Sequence, residues 1–258
     1  GNFQTDNMYG DINSSVINPI TTNLLIKKAT ENDWDIEIYD IPIAYLHVPI
    51  VDEKVDLFMV FQNNISTILI SMLIDRIPNI HSFLHNGKLY VKLKKYLYGL
   101  KQSAKKFYDF ICSWLISLGY TPSSTDVCLY SKHNGDDFSY IGTHVDDMLI
   151  TANNSNDFTI IKNGIHNHNF GGNPTIQTGD SRTHLGIAIE RDGINKRTTL
   201  SKSYYIKKNC DLFDNNNQIE KMPYITNILK SNPNSPTILP NKYLLLLMST
   251  FVVARMTR

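Results

Sequence analysis

The chain has 258 residues, 42% of them hydrophobic, and a formal net charge of +1. This length suffices for one large domain or two small ones, while the near-neutral charge excludes a polycation, so any nucleic-acid affinity has to come from local basic patches. The three cysteines are odd in number and widely spaced, which excludes an evident disulfide framework and fits a reducing compartment. The longest apolar stretch, residues 243–254, is too short to span a bilayer, so we expect no membrane association.

The first part of the chain predicts helices and a strand. Residues 20–29 and 65–74 are apolar segments of helical length. Residues 35–39 alternate polar and apolar side chains, which predicts a strand that ends at Asp40. Pro42 follows two residues later and cannot occupy a central ladder position, so the strand has to end or bend near Asp40.

A strand, a turn and a long helix are predicted next. Residues 88–97 alternate lysines with apolar residues, and a turn at residues 98–102 follows. Ser103 is a candidate N-cap for the helix, which Gly119 ends. The helix is amphipathic, with apolar residues at i, i+3, i+4, i+7, i+8 and i+11: Phe107, Phe110, Ile111, Trp114, Leu115 and Leu118.

Asp146 and Asp147 lie between two apolar runs that favour β-structure, residues 138–145 and 148–152. The pattern predicts a hairpin whose two-residue turn is formed by the aspartates themselves. Burial of two neighbouring carboxylates costs free energy unless a cation or a partner compensates the charge, and hard divalent cations prefer carboxylate oxygens. The sequence therefore predicts a metal site at the tip of this hairpin.

A second aspartate pair, Asp136 and Asp137, lies ten residues earlier. It follows an Asn-Gly dipeptide, which is a strong hairpin-turn signal, and no apolar run leads into it. We interpret this pair as part of a solvated loop that links strands at residues 127–131 and 138–145. Adjacent aspartates are most often ordinary turn residues, so the first pair needs partners elsewhere in the chain to be functional.

The remaining segments are less regular. Residues 153–182 are rich in Asn and Gly and predict at most one short helix. Residues 184–190 predict a single strand, and residues 204–213 predict a helix. Residues 214–241 are rich in Asn and Pro and predict a linker. Strands and helices in this order predict an α+β fold whose carboxylates meet at one sheet edge.

Three segments, taken in order, resemble the motifs of Ty1/copia-type retrotransposon reverse transcriptases: residues 39–46, 93–103 and 144–151. The resemblance implies a right-hand polymerase palm, which is an antiparallel sheet backed by helices, with partial fingers and the start of a thumb or connection region. The implied domains are a disordered or truncated leader at 1–13, reverse transcriptase fingers, palm and palm–thumb junction at 14–213, a linker at 214–241, and a truncated start of the connection region at 242–258.

The resemblance also implies the roles of three carboxylates. Asp40, Asp146 and Asp147 would be the catalytic residues and would bind two Mg²⁺ ions, for which Mn²⁺ can substitute. Phosphoryl transfer depends mostly on positioning and on charge neutralisation, so carboxylates and metal ions can supply most of this chemistry. His144 stands where the family usually has an aromatic residue, and its imidazole ring is smaller than the usual side chain.

Further residues match the family's substrate contacts. Tyr45 would lie under the incoming sugar, where its ring would clash with a 2′-hydroxyl group and so favour deoxynucleotides. Tyr98 and Gly99 match the turn that forms the floor of the nucleotide pocket, where glycine lets the backbone approach closely. His184 and Gly186 match the hairpin that contacts the primer.

A basic segment supports nucleic-acid binding independently of the resemblance. Residues 88–108 contain seven lysines and no acidic residue, interleaved with aromatic residues, and such a surface suits a nucleic-acid strand. Five of these lysines are candidate contacts: Lys94, Lys95, Lys101, Lys105 and Lys106. The alternative is that they form the solvated faces of a strand and a helix.

The first hypothesis is therefore an RNA-directed DNA polymerase fragment that adds dNTPs to a primer on an RNA or DNA template, in the context of a Pol polyprotein. The family implies an intracellular location, in a cytoplasmic particle or the nucleus. The basic fingers strands of the family are expected before residue 14 and have no match there. This favours a second hypothesis, a decayed retroelement fragment that folds as a palm and at most binds nucleic acid. A third, a host-recruited binding module, has no specific support.

Overall fold

The computed structural model describes residue 4 and residues 9–51, 53, 56–167, 174–204, 206–207 and 211. Contacts within the chain divide it into two compact units, Gly1–Gln177 and Thr178–Arg258. The predicted linker and the predicted start of the connection region lie outside the described residues, and so does most of the helix predicted at residues 204–213.

The described part of the chain contains four α-helices: α1 (Pro19–Asn32), α2 (Asn63–Leu73), α3 (Ser103–Ser117) and α4 (Ser155–Asn167). Asn18 caps α1, because its side-chain oxygen accepts a hydrogen bond from the backbone N–H of Ile20 (2.9 Å). None of the described helices combines the length and the apolar composition needed to cross a membrane. The helices predicted at residues 20–29 and 65–74 and after Ser103 are thus confirmed.

The N-cap of α3 was predicted wrongly. Gln102 is the N-cap residue, and Ser103 is the first residue of the helix. The Ser103 hydroxyl instead donates a hydrogen bond to the backbone carbonyl of Leu97 at 2.6 Å. This bond closes the turn that carries Tyr98 and Gly99, so the hydroxyl organises the turn before the helix rather than the helix end.

Twelve β-strands are described: β1 (Asp35–Asp40), β2 (Phe58–Phe61), β3 (Leu84–His85), β4 (Lys88–Lys92), β5 (Thr121–Pro122), β6 (Leu129–Asn134), β7 (Asp137–His144), β8 (Asp147–Ala152), β9 (Thr175–Gln177), β10 (Ser181–His184), β11 (Ile187–Asp192) and β12 (Arg197–Ser201). They form three sheets of order β5-β6-β7-β8-β1-β9, β2-β4-β3 and β10-β11-β12. Every pairing is antiparallel. Helices and antiparallel sheets together confirm the predicted α+β class.

The centre of the six-stranded sheet, at β8, is buried on both faces. Phe107 and Trp114 of α3 and Phe158 of α4 share a core cluster with Met148 and Ile150 of β8. The helix α1 contacts β1, β7 and β8. Successive residues of a strand face opposite sides, and all residues of β8 after the first are buried, so α1 covers the face that α3 and α4 leave open. Burial of each such large side chain contributes about 1.5–3 kcal/mol, which makes the sheet a rigid base for its loops.

Residues 184–190 do not form the single strand that was predicted. They form the end of β10, a turn at Leu185 and Gly186, and most of β11. Both turn residues have positive φ, 50° and 74°. Leucine rarely adopts this conformation, so the sequence carries no strong turn signal at this point.

Residues 153–182 are more regular than predicted. The helix α4 has 13 residues, and β9 adds an edge strand to the six-stranded sheet. Phe158, Ile161 and Ile165 are buried at the helical spacing i, i+3 and i+7, but the surrounding asparagines dilute the pattern in the sequence.

Candidate active site

The strand β1 and the β7–β8 hairpin bring the three predicted carboxylates to one edge of the sheet. Asp40, the last residue of β1, lies opposite Asp147, the first residue of β8. The backbone N–H of Ile41 donates a hydrogen bond to the carbonyl of Asp146 at 3.0 Å, which ties the end of β1 to the hairpin turn. Asp40, Asp146 and Asp147 are therefore neighbours, although more than 100 residues separate the first from the other two.

The turn of this hairpin differs from the prediction by one residue. His144 pairs with Asp147, so the turn residues are Val145 and Asp146, and Asp147 belongs to β8. Val145 has a φ of 55°, which a β-branched residue rarely adopts. A backbone of this kind costs about 1–3 kcal/mol and persists only where the surrounding structure holds it. The Asp146 carboxylate is thus presented from a strained turn.

The three carboxylates are half-buried and repel one another. Burial, followed by the charges of Asp146 and Asp40, raises the pKa of Asp147 to about 6. Burial and the charge of Asp146 likewise raise the pKa of Asp40. Both causes disfavour the ionised form, so at neutral pH this sheet edge carries negative charge that a bound cation would stabilise.

The donor set fits a hard divalent cation such as Mg²⁺, whose preferred ligands are carboxylate oxygens. Within the described residues, no three His, Cys, Asp or Glu side chains are arranged so that they alone could hold a metal ion. Mg²⁺ commonly keeps several water molecules and binds through one or two carboxylates together with substrate phosphates. The carboxylates can therefore supply part of a coordination shell, and the identity of the cation stays a prediction.

Two tyrosines, Tyr45 and Tyr98, stand beside the carboxylates, and their role in a nucleotide pocket stays a prediction. The ring centroids of Tyr45 and Tyr98 are 4.3 Å apart, with the ring planes tilted by 42°, and Phe107 contacts Tyr45 edge-on at 6.0 Å. Burial and then the charge of Asp146 raise the pKa of both phenols, which places them within electrostatic reach of the β7–β8 turn. Tyr45 lies in a 3₁₀ turn, Ala44–His47.

Gly99 has a φ of +95°, and a Cβ atom at this position would meet no atom within 4 Å. Its glycine character therefore follows from the left-handed backbone and not from crowding within the protein. Tyr98, the preceding residue, is 57% exposed, so the turn presents an open aromatic surface next to Tyr45.

The five candidate lysines fall into two groups, three that bind another side chain and two that form no ion pair with a described residue. Lys105 forms an ion pair with Asp109 at 2.5 Å, Lys106 forms one with Glu53 at 3.9 Å, and the Lys101 ammonium donates a hydrogen bond to the Tyr9 hydroxyl at 2.7 Å.

Lys94 and Lys95 are exposed and form no ion pair with any residue that the structure describes. Of the three contacts made by Lys101, Lys105 and Lys106, the sequence indicates the ion pair between Lys105 and Asp109, because these residues have the i,i+4 spacing of helical ion pairs.

His184 and Gly186 belong to the second unit. His184 is the last residue of β10 and is only 1% exposed, while Gly186 has a φ of +74° in the turn that follows. A hairpin is present where the resemblance implies one, and contact of these two residues with a primer stays a prediction.

One contact near the β7–β8 turn, formed by Val145 and Asp146, was not predicted. Ile17 is 2% exposed, and its side chain fills the space in front of Gly142, where a Cβ atom would lie 2.3 Å from the Ile17 Cδ1 atom. Residues 1–17 are polar and without periodicity, so only a glycine in the middle of a strand pattern could have indicated a close approach.

The chain belongs to the family described as reverse transcriptase (RNA-dependent DNA polymerase), whose model matches residues 2–226. The match includes all three carboxylates, both tyrosines and the five lysines, and it confirms the family resemblance of the sequence motifs.

Two curated relatives give the family context. The chain is 27% identical over 220 residues to the retrovirus-related Pol polyprotein from transposon RE1 of Arabidopsis thaliana, which covers 84% of the chain and 13% of the relative. It is 24% identical over 212 residues to the corresponding polyprotein from transposon TNT 1-94 of Nicotiana tabacum, with coverages of 81% and 14%. The chain thus spans about one seventh of the length of these polyproteins.

A solved structure of apo telomerase from Candida tropicalis, truncated from its C-terminal domain, aligns with 73% of this chain and 41% of its own at 12% identity. The TM-score of this alignment is 0.39.

Proposed function

We propose that this chain catalyses RNA-directed DNA synthesis, adding a deoxynucleotide to the 3′-hydroxyl group of a primer. The observation that carries the proposal is the convergence of Asp40, Asp146 and Asp147 at one sheet edge. The raised pKa of Asp147 supports it, because perturbed carboxylates cluster at catalytic sites. The family match is the second, independent support.

The three carboxylates would hold two divalent cations, Mg²⁺ or in its place Mn²⁺. When bound, such ions favour the deprotonated primer hydroxyl and neutralise charge on the leaving pyrophosphate. The protein would contribute by positioning these carboxylates. The strand β1 fixes Asp40, β8 fixes Asp147, and the hydrogen bond between Ile41 and Asp146 keeps the turn beside them. Rigid placement of this kind supplies much of the rate in phosphoryl transfer.

Tyr45 and Tyr98 would select the incoming nucleotide. A 2′-hydroxyl group would meet the Tyr45 ring, which the neighbouring Tyr98 and Phe107 rings hold in place. A ring supported on two sides cannot swing away at low cost, since aromatic pairs contribute about 0.5–1.5 kcal/mol each. The exposed turn at Gly99 would let the triphosphate approach the backbone.

The basic segment would bind the template and primer backbones. Lys94 and Lys95 are the lysines ready to contact phosphates. Lys101, Lys105 and Lys106 would have to exchange their present partners to reach a phosphate. His184 and Gly186 would contact the primer.

At the level of domains, the six-stranded sheet with its helices fits a palm, and β2, β3, β4 and α2 fit partial fingers. Residues 14–213 would complete the polymerase part, followed by a linker and the start of a connection region. In this setting the chain acts within a Pol polyprotein, in an intracellular particle or the nucleus.

Primer extension on an RNA template, with Mg²⁺ and then Mn²⁺, tests the proposal. Asp146→Asn keeps the size of the side chain and removes its charge, so it should abolish extension, a loss of at least about 10³-fold or 4 kcal/mol. Asp136→Asn makes the same change at the exposed β6–β7 hairpin and should leave the rate within about twofold.

Extension by Asp146→Asn at the parental rate would refute the catalytic assignment. A folded parental chain that extends no primer with either cation would favour the second hypothesis, a decayed fragment that keeps the fold without catalysis.

A further inference from the structure

We propose that Ile17 is a positioning residue for nucleotidyl transfer, because its contact with Gly142 holds the catalytic turn in place. This inference rests on the proposed polymerase function. It goes beyond that function because it assigns a role to a segment that lies more than 20 residues before the first carboxylate.

The catalytic turn needs support from outside the hairpin. Val145 has a positive φ of 55°, and strained backbone persists only where neighbouring structure enforces it. On one side, β1 supplies a hydrogen bond from Ile41 to the Asp146 carbonyl. On the other side, the β6–β7 ladder ends at Gly142. One further hydrogen bond follows it, from the backbone N–H of Thr143 to the Cys128 carbonyl at 2.9 Å, and the turn lies beyond this last contact.

Residues 14–17 fill the place where the ladder ends. The backbone N–H of Ile17 donates a hydrogen bond to the carbonyl of Thr143 at 3.0 Å. The Ile17 side chain lies directly over Gly142, where an added Cβ would be 2.3 Å from Ile17 Cδ1 and 3.2 Å from Leu25 Cδ1. Residue 142 is not in the left-handed region, so the absence of a side chain makes room for Ile17 and has no conformational cause.

The segment around Ile17 is anchored through Asn18 and lies beside the turn. The backbone N–H of Asn18 donates to an oxygen of Asp126 at 3.0 Å, and the other oxygen of Asp126 accepts from the backbone N–H of Cys128 at 3.1 Å. Ser14 and Ser15 line a small cavity together with Val145 of the turn and residues of α3. A displacement of Ile17 would therefore reach Thr143 and the turn directly.

The decisive experiment moves one methyl group across the contact. Gly142→Ala adds a methyl group where Ile17 Cδ1 lies, and Ile17→Val removes that Cδ1 atom. The double variant Gly142→Ala/Ile17→Val conserves the total volume, which cores tolerate best. Gly164→Ala is the matched control. Residue 164 lies in α4, away from the turn, and an added Cβ there would also be crowded, at 2.9 Å from Trp114 Cζ2.

Single-nucleotide extension is measured at a temperature at which melting curves show every variant to be folded. We expect Gly142→Ala to lower kcat about 10- to 100-fold, the range that follows from a small misplacement of catalytic groups, with KM for the dNTP within about threefold. The double variant should recover kcat to within about threefold of the parent. Gly164→Ala should lower the melting temperature and leave the kcat of the folded protein unchanged.

A second readout separates this inference from the proposed function. The affinity for Mn²⁺ without nucleic acid, measured by electron paramagnetic resonance, should fall at least about threefold in Gly142→Ala and recover in the double variant. A parental chain that binds Mn²⁺ but extends no primer would refute the proposed function, and the Mn²⁺ affinities would then decide the inference. Three results would overturn the inference. These are a Gly142→Ala variant with parental kcat and parental Mn²⁺ affinity, a double variant that recovers neither, and a parental chain that neither binds Mn²⁺ nor extends a primer.

Discussion

The strand β7 takes part in two hairpins, β6–β7 at its start and β7–β8 at its end, and the turns of both carry aspartates in the same local pattern. In each, the first turn residue has a positive φ (Gly135 at 63°, Val145 at 55°), the second is an aspartate, and a further aspartate opens the next strand. Asp136 and Asp137 are exposed, whereas Asp147 is half-buried opposite Asp40. The same local pattern therefore becomes a candidate catalytic site only where the fold adds a third carboxylate and partial burial.

The two turns also differ in how they reach their conformation. Glycine adopts a positive φ without strain, so the β6–β7 turn forms from its own residues. Valine does not, and the β7–β8 turn relies on Ile41 and Ile17 on either side. The solvated hairpin is locally determined, while the candidate catalytic hairpin is determined by tertiary contacts.

Replacement of an aromatic residue near each hairpin should give the largest difference. Tyr45→Ala removes the ring that would exclude a 2′-hydroxyl group and should raise the ratio of ribonucleotide to deoxynucleotide incorporation about 10- to 100-fold. Tyr140→Ala, in β7 near the other hairpin, removes a ring that stacks on Trp34 and should lower stability without changing this ratio. Competitive incorporation assays measure the ratio for both variants, and melting curves measure their stability. An unchanged ratio in Tyr45→Ala would refute the role of Tyr45 in nucleotide selection.

Exchange of the turn residues should separate local from tertiary control. Gly135→Val places a β-branched residue at a positive φ and should lower the free energy of unfolding by about 1–2 kcal/mol without slowing extension by the folded protein. Val145→Gly relieves strain but gains chain entropy in the unfolded state, so its stability should stay within about 0.5–1 kcal/mol of the parent.

The same Val145→Gly variant should extend primers more slowly, because a freer turn holds Asp146 less firmly. Urea unfolding and extension rates together test the pair of variants. A Val145→Gly variant with the parental rate would show that the rigidity of this turn does not matter.

The smallest effect should be a pH-dependent gain in stability. Asp147 has a pKa of about 6 in the folded chain, against an ordinary value of 3.8. Its favourable contribution to stability is therefore complete below pH 3.8 and is lost as the pH rises through about 6. Without divalent cations, Asp147→Asn should therefore be more stable than the parent at pH 7.5 by about 1 kcal/mol, a figure that allows for solvent screening of a half-buried group.

The gain should vanish near pH 4, where the parental carboxyl group is largely protonated in the folded state. Asp137→Asn makes the same change at the exposed hairpin and is the matched control. Unfolding curves at the two pH values measure the difference, and a gain that is equal at both would contradict the proposed repulsion.

Residue periodicity predicted much of the fold. The strand that ends at Asp40, the helix α1, the amphipathic helix α3 and the two hairpins on β7 all follow from patterns of apolar residues and turn signals. The proximity of Asp40 to Asp147 does not follow from spacing, because the pairing of β1 with β8 is non-local. The order of the strands and helices and the family resemblance both led us to expect it.

The parts that could not be predicted depend on tertiary contacts or on unusual backbone. The turn at Val145 and the turn at Leu185 both place a bulky residue at a positive φ, against its intrinsic preference. The contact between Ile17 and Gly142 joins two segments with no shared pattern. Ser103 acts on the turn before α3 because Leu97 offers a carbonyl group that no propensity scale records.

The measurement that tests the central claim most directly is Mn²⁺ binding to the parental chain, to Asp146→Asn and to Asp136→Asn, without nucleic acid. If the β7–β8 hairpin and Asp40 form the metal site, Asp146→Asn weakens binding at least about tenfold, which corresponds to 1.4 kcal/mol, and Asp136→Asn binds like the parent. Equal affinities for all three proteins would contradict the assignment of the candidate active site.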